Sequence, residues 1–281
     1  MDAKTILMDA LETRWKKFRG ELKHCRDEFS EEAVHDLRVA TRRLLAMFDL
    51  VRAIVPHNRI QKIRRELKDQ LDDLDDLRDT QVLLFDVSEY LHEQPELKFF
   101  QEHLLKEEKH LMRQTRKLVR AREHRRLNKR VEKIQTMLQD LGTDMLGAQM
   151  IAAADEAFTR VIQAYFVMDA ENPASIHKLR IAFKRFRYTV EVVHPLLPNF
   201  PSTHFERMHD YQARMGDIQD MEVASQRAAD LDDASDSPEA VTTHYALRLQ
   251  TAIRKFLEDK GEVLIFWRTN PDQPFPWEKQ P

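Results

Sequence analysis

Apolar residues recur three and four positions apart along nearly the whole chain, and no long stretch alternates with a period of two. This spacing is typical of α-helices that turn one side towards a core. In the first half, helices are predicted over about 1–25, 30–55 and 58–92, the last with a bend near 79–80. A long helical segment follows from Pro95 towards Leu141, with a break around 121–124.

The second half repeats this plan. Helices are predicted over about 145–169, 174–194, 202–230 and 238–259, with prolines and the acidic stretch at 230–238 as breaks. The tail from Gly261 has an irregular pattern. Its Val-Leu-Ile-Phe-Trp segment (263–267) is expected to pack against the body of the protein, because five adjacent exposed apolar residues would favour aggregation. The pattern therefore predicts an all-α protein.

An internal repeat is the most informative feature of the sequence. The segment His-Asp-Leu-Arg-Val-Ala-Thr-Arg-Arg at 35–43 matches His-Lys-Leu-Arg-Ile-Ala-Phe-Lys-Arg at 177–185, 142 residues later. Leu-Asp-Asp-Leu-Arg-Asp at 74–79 matches Met-Gly-Asp-Ile-Gln-Asp at 215–220, with an offset of 141 residues. Two matches in the same order and at nearly the same offset indicate a duplication. We predict one domain over 1–260, made of tandem four-helix units over 1–141 and 142–260, followed by a tail over 261–281.

Each copy of the first repeated segment carries a basic face. At about 100° per residue, its histidine and cations share one side of a helix, and the apolar residues form the other side. The basic faces consist of His35, Arg38, Arg42 and Arg43 in the first copy, and of His177, Arg180, Lys184 and Arg185 in the second. Arg187 adds a further cation to the second copy, where the first has Leu45.

Such closely spaced cations repel one another. A single basic face of this kind is compatible with a solvated surface, or with Arg stems lying over a neighbouring helix. Its occurrence twice, without interleaved acids, favours a site for a polyanion, because guanidinium groups bind phosphate oxygens bidentately. Metal binding is less favoured, because Arg38 and Arg180 occupy the i+3 positions where a histidine site places a second ligand.

Composition sets further limits. The 281 residues include only 5 Gly and 1 Cys, which argues against β-rich folds, Gly-rich phosphate loops, disulfides and thiolate zinc clusters. No apolar run approaches the ~20 residues of a membrane span, and no secretory signal is visible, so we expect a soluble, cytoplasmic protein without a membrane partner. The net charge of -3 hides a segregation: cations concentrate at 35–43, 106–133 and 177–187, and acids at 69–79 and 230–239.

The doubled basic segment and the two downstream acidic segments resemble the CHAD family, the conserved-histidine α-helical domain. The resemblance extends over roughly 1–260. It implies two four-helix bundles about a pseudo-twofold axis, with the basic faces lining a shared groove that binds inorganic polyphosphate. It points residue by residue to His35, Arg38, Arg42, Arg43, His177, Arg180, Lys184 and Arg185. Several family members are found on polyphosphate granules, and many are fused to a CYTH triphosphatase domain, whose Glu-x-Glu-x-Lys motif is not visible here.

For other charged residues, the sequence does not fix the direction in which the side chain points. Lys62, Arg65, Lys68, Arg207 and Arg214 are candidates to flank the groove. The run from Lys106 to Lys133 has twelve Lys/Arg against four Glu, and either lines or extends the groove, or forms a solvated surface paired with acids elsewhere. The six Asp within 69–79 are interpreted as helix caps or as partners that orient arginines.

The leading hypothesis is a polyphosphate-binding protein without catalytic residues, metal or cofactor. Granule-associated proteins and a separate CYTH-type triphosphatase are further candidate partners. The first alternative is a nucleic-acid-binding protein, although the basic segments offer no exposed aromatic residue apart from Tyr188. The second is a metal-dependent phosphohydrolase that uses His and Asp. The third is a scaffold whose helix faces recruit other proteins.

Overall fold

The all-α prediction is confirmed by the computed structural model, which describes residues 2–231 and 238–278. Met1, the 232–237 part of the predicted acidic break and residues 279–281 of the tail lie outside the described residues. Within these limits the chain forms nine α-helices and no β-strand. The helices are α1 (Ala3–Asp27), α2 (Glu31–Ile54), α3 (Asn58–Tyr90), α4 (Lys98–Ala121), α5 (Arg125–Gln139), α6 (Leu146–Phe166), α7 (Pro173–Val193), α8 (His204–Ala229) and α9 (Pro238–Asp259).

Local sequence explains the helix ends. Ser30 caps α2, because its Oγ accepts a hydrogen bond from the Ala33 backbone N–H at 3.2 Å, and Glu31 and Glu32 follow in the first turn. The predicted break after residue 121 is confirmed, since three residues separate α4 from α5. The predicted bend at 79–80 does not interrupt α3, which runs as one helix of 33 residues.

Helices that follow one another along the chain pack against each other. α1, α2, α3 and α4 form one such series, and α6, α7, α8 and α9 form another. The series meet where α2 packs against α6 and α7, and where α3 packs against α8. The two helices with the repeated basic segments, α2 and α7, are therefore neighbours. A pseudo-twofold relation between the two series stays a prediction.

The predicted core faces of α2 and α7 are buried, so the basic faces turn away from the core. The buried residues are Leu37, Ala40, Leu44, Met47, Phe48 and Val51 of α2, and Leu179, Phe183, Phe186 and Val190 of α7.

The C-terminal segment docks on the body, as predicted. Val263, Phe266 and Trp267 are buried, whereas Leu264 stays 41% exposed. Trp267 packs edge-on against Phe186 of α7, with ring centroids 5.5 Å apart. Two short 3-10 turns, Lys260–Ile265 and Pro276–Glu278, shape this segment. Among the described helices, none combines the length and the apolar character that crossing a membrane requires.

Candidate functional site

A cavity of about 340 Å³ lies between α2, α3, α7 and α8, and both copies of the basic segment contribute to it. We call it the four-helix cavity. Its charged walls combine six Lys/Arg side chains and His177 with four aspartates, and its remaining walls are mainly aliphatic. The cations are Arg38, Arg42, Lys68, Arg180, Lys184 and Arg185, and the aspartates are Asp72, Asp75, Asp79 and Asp220.

Most of these cations have no counter-ion. Within the described part of the chain, Arg38 is the one cavity cation that forms a salt bridge, with Asp75 of α3. The Nε atoms of Arg38, Arg42 and Arg180 are buried without a hydrogen-bond partner. Because buried charges require pairing, this arrangement offers several donors to an incoming anion.

The two copies of the repeat differ at Asp75 and its counterpart Gly216. In the first copy, Asp75 neutralises Arg38. In the second copy, a Cβ placed on Gly216 would lie 3.8 Å from both Nε and Nη2 of Arg180, so a glycine occupies the position from which a carboxylate would reach that guanidinium. Arg180 is therefore the more available of the two arginines.

Lys184 lies among four arginines. Burial, reinforced by Arg180, Arg42, Arg38 and Arg187, lowers the pKa of Lys184 to about 6. Its ammonium group is therefore largely neutral at pH 7 in the empty cavity. A bound anion would reverse this effect, because a nearby negative charge favours the protonated form.

Two cavity aspartates are poorly solvated. Burial raises the pKa of Asp220 to about 6 and also raises the pKa of Asp79, although Arg180 and Arg38 respectively oppose these shifts. They occupy matching positions in the two repeats. Neither forms a salt bridge among the described residues, so they line the cavity beside the cations without neutralising them through direct contact.

The two repeated histidines have different environments. His177 lines the cavity, and its Nδ1 is buried without a partner. His35 is exposed at the start of α2 and does not line the cavity. Burial is the main cause that lowers the pKa of both rings. Nearby arginines lower it further, Arg180 for His177 and Arg78 for His35. Both histidines are therefore neutral near pH 7 in the free protein.

Arg43 and Arg187 form a separate cluster around Tyr188. Their guanidinium carbons lie 5.9 Å and 5.1 Å from the centroid of the Tyr188 ring. Arg43 also pairs with Glu191, with Nε 3.4 Å from Oε2. Neither arginine lines the four-helix cavity, whereas Leu45, the counterpart of Arg187 in the first copy, does.

Of the five candidate flanking residues, Lys68 alone lines the cavity. Lys62 and Arg65 are exposed near the start of α3 and do not line it. Arg207 and Arg214 pair with Glu262 of the C-terminal segment at 3.2 Å and 2.5 Å, and Arg214 also pairs with Asp259 at 2.9 Å. The structure thus assigns Arg207 and Arg214 to holding that segment.

The interpretation of the aspartates in 69–79 as partners that orient arginines is confirmed for Asp75, which pairs with Arg38. The sequence did not indicate which acidic and amide side chains line the cavity. Gln219 and Asp220 of α8 line it, as do Asp72 and Asp79 of α3. The signal for Asp79 and Asp220 was their matching position in the repeat. No comparable signal marked Gln219, because an isolated glutamine on a helix is usually solvated.

A second recess of about 590 Å³ adjoins the cavity between α3, α8 and α9 and shares Asp220 with it. It carries none of the repeated cations, and its Arg248 is held by Asp86 at 2.7 Å. Among the described residues, no three His, Cys, Asp or Glu side chains converge in a way that would hold a metal ion. The four-helix cavity is therefore the better candidate for anion binding.

Comparison with known proteins identifies the family. The family model described as the CHAD domain matches residues 9–229, a range that includes both copies of the basic segment. The fold is similar to the crystal structure of the CHAD domain from the plant Ricinus communis, with a TM-score of 0.65 and 18% identity over 93% of this chain and 89% of that chain. No curated protein matches significantly. With most of its length and both basic segments inside the family match, this chain belongs to the CHAD domain family.

Proposed function

We propose that the four-helix cavity binds inorganic polyphosphate and that the protein does so without catalysing its hydrolysis. The observation that supports this most directly is the cluster of Arg42, Arg180 and Lys184, which have no salt bridge among the described residues and lie beside one another in one cavity. Guanidinium forks suit phosphate oxygens, and an ammonium supplies a point charge. Membership of the CHAD family, which is linked to polyphosphate binding, adds support.

The cavity walls favour polyphosphate over a nucleic acid. No Phe, Tyr or Trp is among the described residues that line the cavity. Sequence-tolerant binding of single strands relies on aromatic side chains for base stacking, and this cavity offers charge without a stacking platform. Polyphosphate has no bases, so it can bind through charge alone and does not need aromatic side chains for stacking.

The binding test compares the wild-type protein with Arg180→Gln/Lys184→Gln. Neither residue forms a salt bridge in the described chain, so the double variant is expected to fold. A matched control, Lys178→Gln/Arg254→Gln, removes two exposed cations that do not line the cavity. We expect affinity for a short polyphosphate of defined length, measured by calorimetry, to fall at least tenfold in the first variant and less than twofold in the control. Equal affinities would refute the site.

A second test separates binding from hydrolysis. Wild-type protein incubated with polyphosphate and Mg²⁺ or Mn²⁺ is expected to release no free phosphate above a protein-free blank. Release that disappears in the Arg180→Gln/Lys184→Gln variant would establish the phosphohydrolase alternative instead. We propose that the same cavity attaches the protein to polyphosphate granules. A fluorescently labelled Arg180→Gln/Lys184→Gln variant should then no longer bind to the granules.

A further inference from the structure

The exposed side of α4 carries a straight row of cations that the four-helix cavity does not use. At about 100° per residue, six cations fall within about 100° of the helix circumference, and all six are exposed. No acidic residue lies between them on that side. We call this row the basic stripe; it consists of Lys106, Lys109, Arg113, Arg116, Lys117 and Arg120.

The fold neutralises neighbouring cations and leaves the basic stripe unpaired. Arg122 and Arg130, from the same basic run, pair with Asp73 and Glu66 of α3. None of the six stripe residues forms a salt bridge within the part of the chain that is described. The exposed cations of α5 from the same run (Arg125, Arg126, Lys129 and Lys133) form no salt bridge among the described residues either, so what distinguishes the stripe is its arrangement in one exposed row along α4.

Two of the acids near the stripe are turned away from it, whereas the exposed Glu102 lies on the same side of α4, one turn before Lys106. Glu107 pairs with Arg227 of α8 at 2.9 Å, and Glu108 accepts a weak hydrogen bond from Gln81 of α3 at 3.5 Å. Like charges three and four positions apart on a helix destabilise it. A row of six cations with one exposed acid, Glu102, at its N-terminal end is therefore better suited to an external anion than to solvent alone.

The basic stripe is a different surface from the four-helix cavity. No stripe residue lines the cavity. Helix α4 contacts α3 through Gln81 and Ser88. By helical geometry these residues lie about 120–180° around α3 from the cavity-lining Asp75 and Asp79. An anion that fills the cavity therefore leaves the stripe free.

We propose that the basic stripe binds a second segment of polyphosphate, so that cavity and stripe together favour long chains over short ones. This inference rests on the proposed function of the cavity. An extended row of cations fits an extended anion, and no Phe, Tyr or Trp lies between residues 106 and 120 to stack a base. A chain held in the cavity reaches the stripe as an intramolecular event, which raises affinity without any new contact in the cavity.

The test uses the full chain with Lys109→Glu/Arg113→Glu/Lys117→Glu, which reverses the centre of the stripe at exposed, unpaired positions. The matched control, Lys16→Glu/Lys23→Glu/Arg254→Glu, makes the same change of net charge at exposed positions of α1 and α9 that form no salt bridge among the described residues. Circular dichroism and thermal unfolding verify that both variants fold. Affinities are then measured for a short polyphosphate that one site holds and for long-chain polyphosphate, over a range of salt concentrations.

We expect the stripe variant to bind the short chain within twofold of wild type and the long chain at least tenfold more weakly. Its plot of log K against log salt for the long chain should be shallower by about 2, since three phosphate contacts contribute about 0.7 each in single-stranded nucleic acids. The control should match wild type. Unchanged long-chain affinity and slope in the stripe variant would overturn the proposal.

Two further outcomes are informative. If single-stranded RNA or anionic lipid vesicles bind wild type more tightly than long-chain polyphosphate, and the stripe variant loses that binding, the stripe has a different occupant and the proposal is overturned. If wild type fails to bind the short chain at all, the proposed function of the cavity fails. The short-chain measurement therefore separates failure of the cavity from failure of the stripe.

Discussion

Gly216 of α8 faces the guanidinium group of Arg180, and a Cβ at that glycine would lie 3.8 Å from two of its nitrogens. The equivalent position in the first repeat is Asp75, which pairs with Arg38. Arg38 in the cavity thus has a carboxylate partner, whereas Arg180, its counterpart in the second repeat, has no salt-bridge partner among the described residues. The two copies of the repeat therefore differ in how the arginine of each copy is neutralised.

Gly216→Asp should insert a counter-ion for Arg180. The substitution adds a side chain at ordinary contact distance, and its carboxylate competes with an incoming phosphate for the same donors. We expect the affinity for a short polyphosphate to fall about tenfold, which corresponds to about 1.4 kcal/mol. Calorimetry at fixed salt measures the change.

Gly216→Ala is the matched control. It adds the Cβ without charge, and alanine stabilises a helix interior by about 0.5–1 kcal/mol over glycine. This variant should unfold at a higher temperature and keep wild-type affinity. A loss of affinity as large as that of Gly216→Asp would mean that the space beside Arg180, and not its charge, governs binding.

Asp75→Asn should have the opposite effect on affinity. The change releases Arg38, whose side chain is 9% exposed, from its carboxylate partner. The amide oxygen of Asn can still accept a hydrogen bond but no longer neutralises the buried guanidinium, so the free protein should lose about 1 kcal/mol of stability, and a bound anion then restores the neutralisation. We expect weaker resistance to urea without ligand and tighter binding of polyphosphate. If affinity falls instead, Asp75 orients Arg38 for the ligand and does not compete with it.

The helices and the basic segments could be predicted from sequence, because apolar spacing and a repeat are both local patterns. Aspartates could also be predicted as partners of arginines, but which aspartate meets which arginine could not. Whether Asp75 meets Arg38 depends on how α3 is rotated against α2, and periodicity within one helix does not fix that rotation. The same limit explains Arg43, which is predicted on the same broad face as Arg42, about 100° away. In the structure Arg43 contacts Tyr188 and Glu191.

Binding of polyphosphate near pH 7 should take up protons. Lys184, with its pKa lowered to about 6, is largely neutral in the empty cavity, and phosphate charges raise that pKa again. Calorimetric titrations in buffers of different ionisation enthalpy should show that Lys184 takes up as much as about one proton when polyphosphate binds. The uptake should shrink below pH 6, where Lys184 is already protonated. His177, which lines the cavity and whose pKa is lowered, should add to the uptake at more acidic pH.

Lys184→Met should reduce this uptake at pH 7.5 while leaving some binding through the arginines. Asp220, whose pKa is raised to about 6, is a second cavity group that phosphate charges would protonate further. Lys178→Met, an exposed position on the same helix, serves as the control and should retain the wild-type uptake. If the Lys184 variant takes up as many protons as wild type, another group carries the effect.

Lys184 should also make the stability of the free protein depend on pH. Its folded pKa of about 6 lies below the ordinary value of 10.5, so the unfolded chain holds one more proton between these values. Unfolding free energy should therefore rise with pH across this window, by up to about 1.4 kcal/mol per unit from this group, and stay level below it. Urea unfolding at pH 6.5, 7.5 and 8.5 measures the slope, and Lys184→Met should flatten it. An equally steep slope in that variant would contradict the assignment.

The C-terminal segment should depend on Asp155 of α6 for its attachment. Trp267 Nε1 donates to Asp155 Oδ1 at 2.8 Å, and Arg268 donates to both carboxylate oxygens at 2.9 Å and 2.6 Å. Asp155→Ala leaves Arg268, whose side chain is 17% exposed, without its carboxylate partner and removes the acceptor for Trp267, so we expect a loss of about 1–3 kcal/mol of unfolding free energy. Asp155→Asn keeps an acceptor for Trp267 and should lose less.

Limited proteolysis and urea unfolding test this attachment. The segment after α9 should be cleaved fastest in Asp155→Ala, more slowly in Asp155→Asn and slowest in wild type. Because Asp155 does not line the four-helix cavity, folded protein of both variants should bind a short polyphosphate within twofold of wild type. Equal proteolysis rates in all three proteins would show that the buried rings of Phe266 and Trp267 hold the segment without help from the carboxylate.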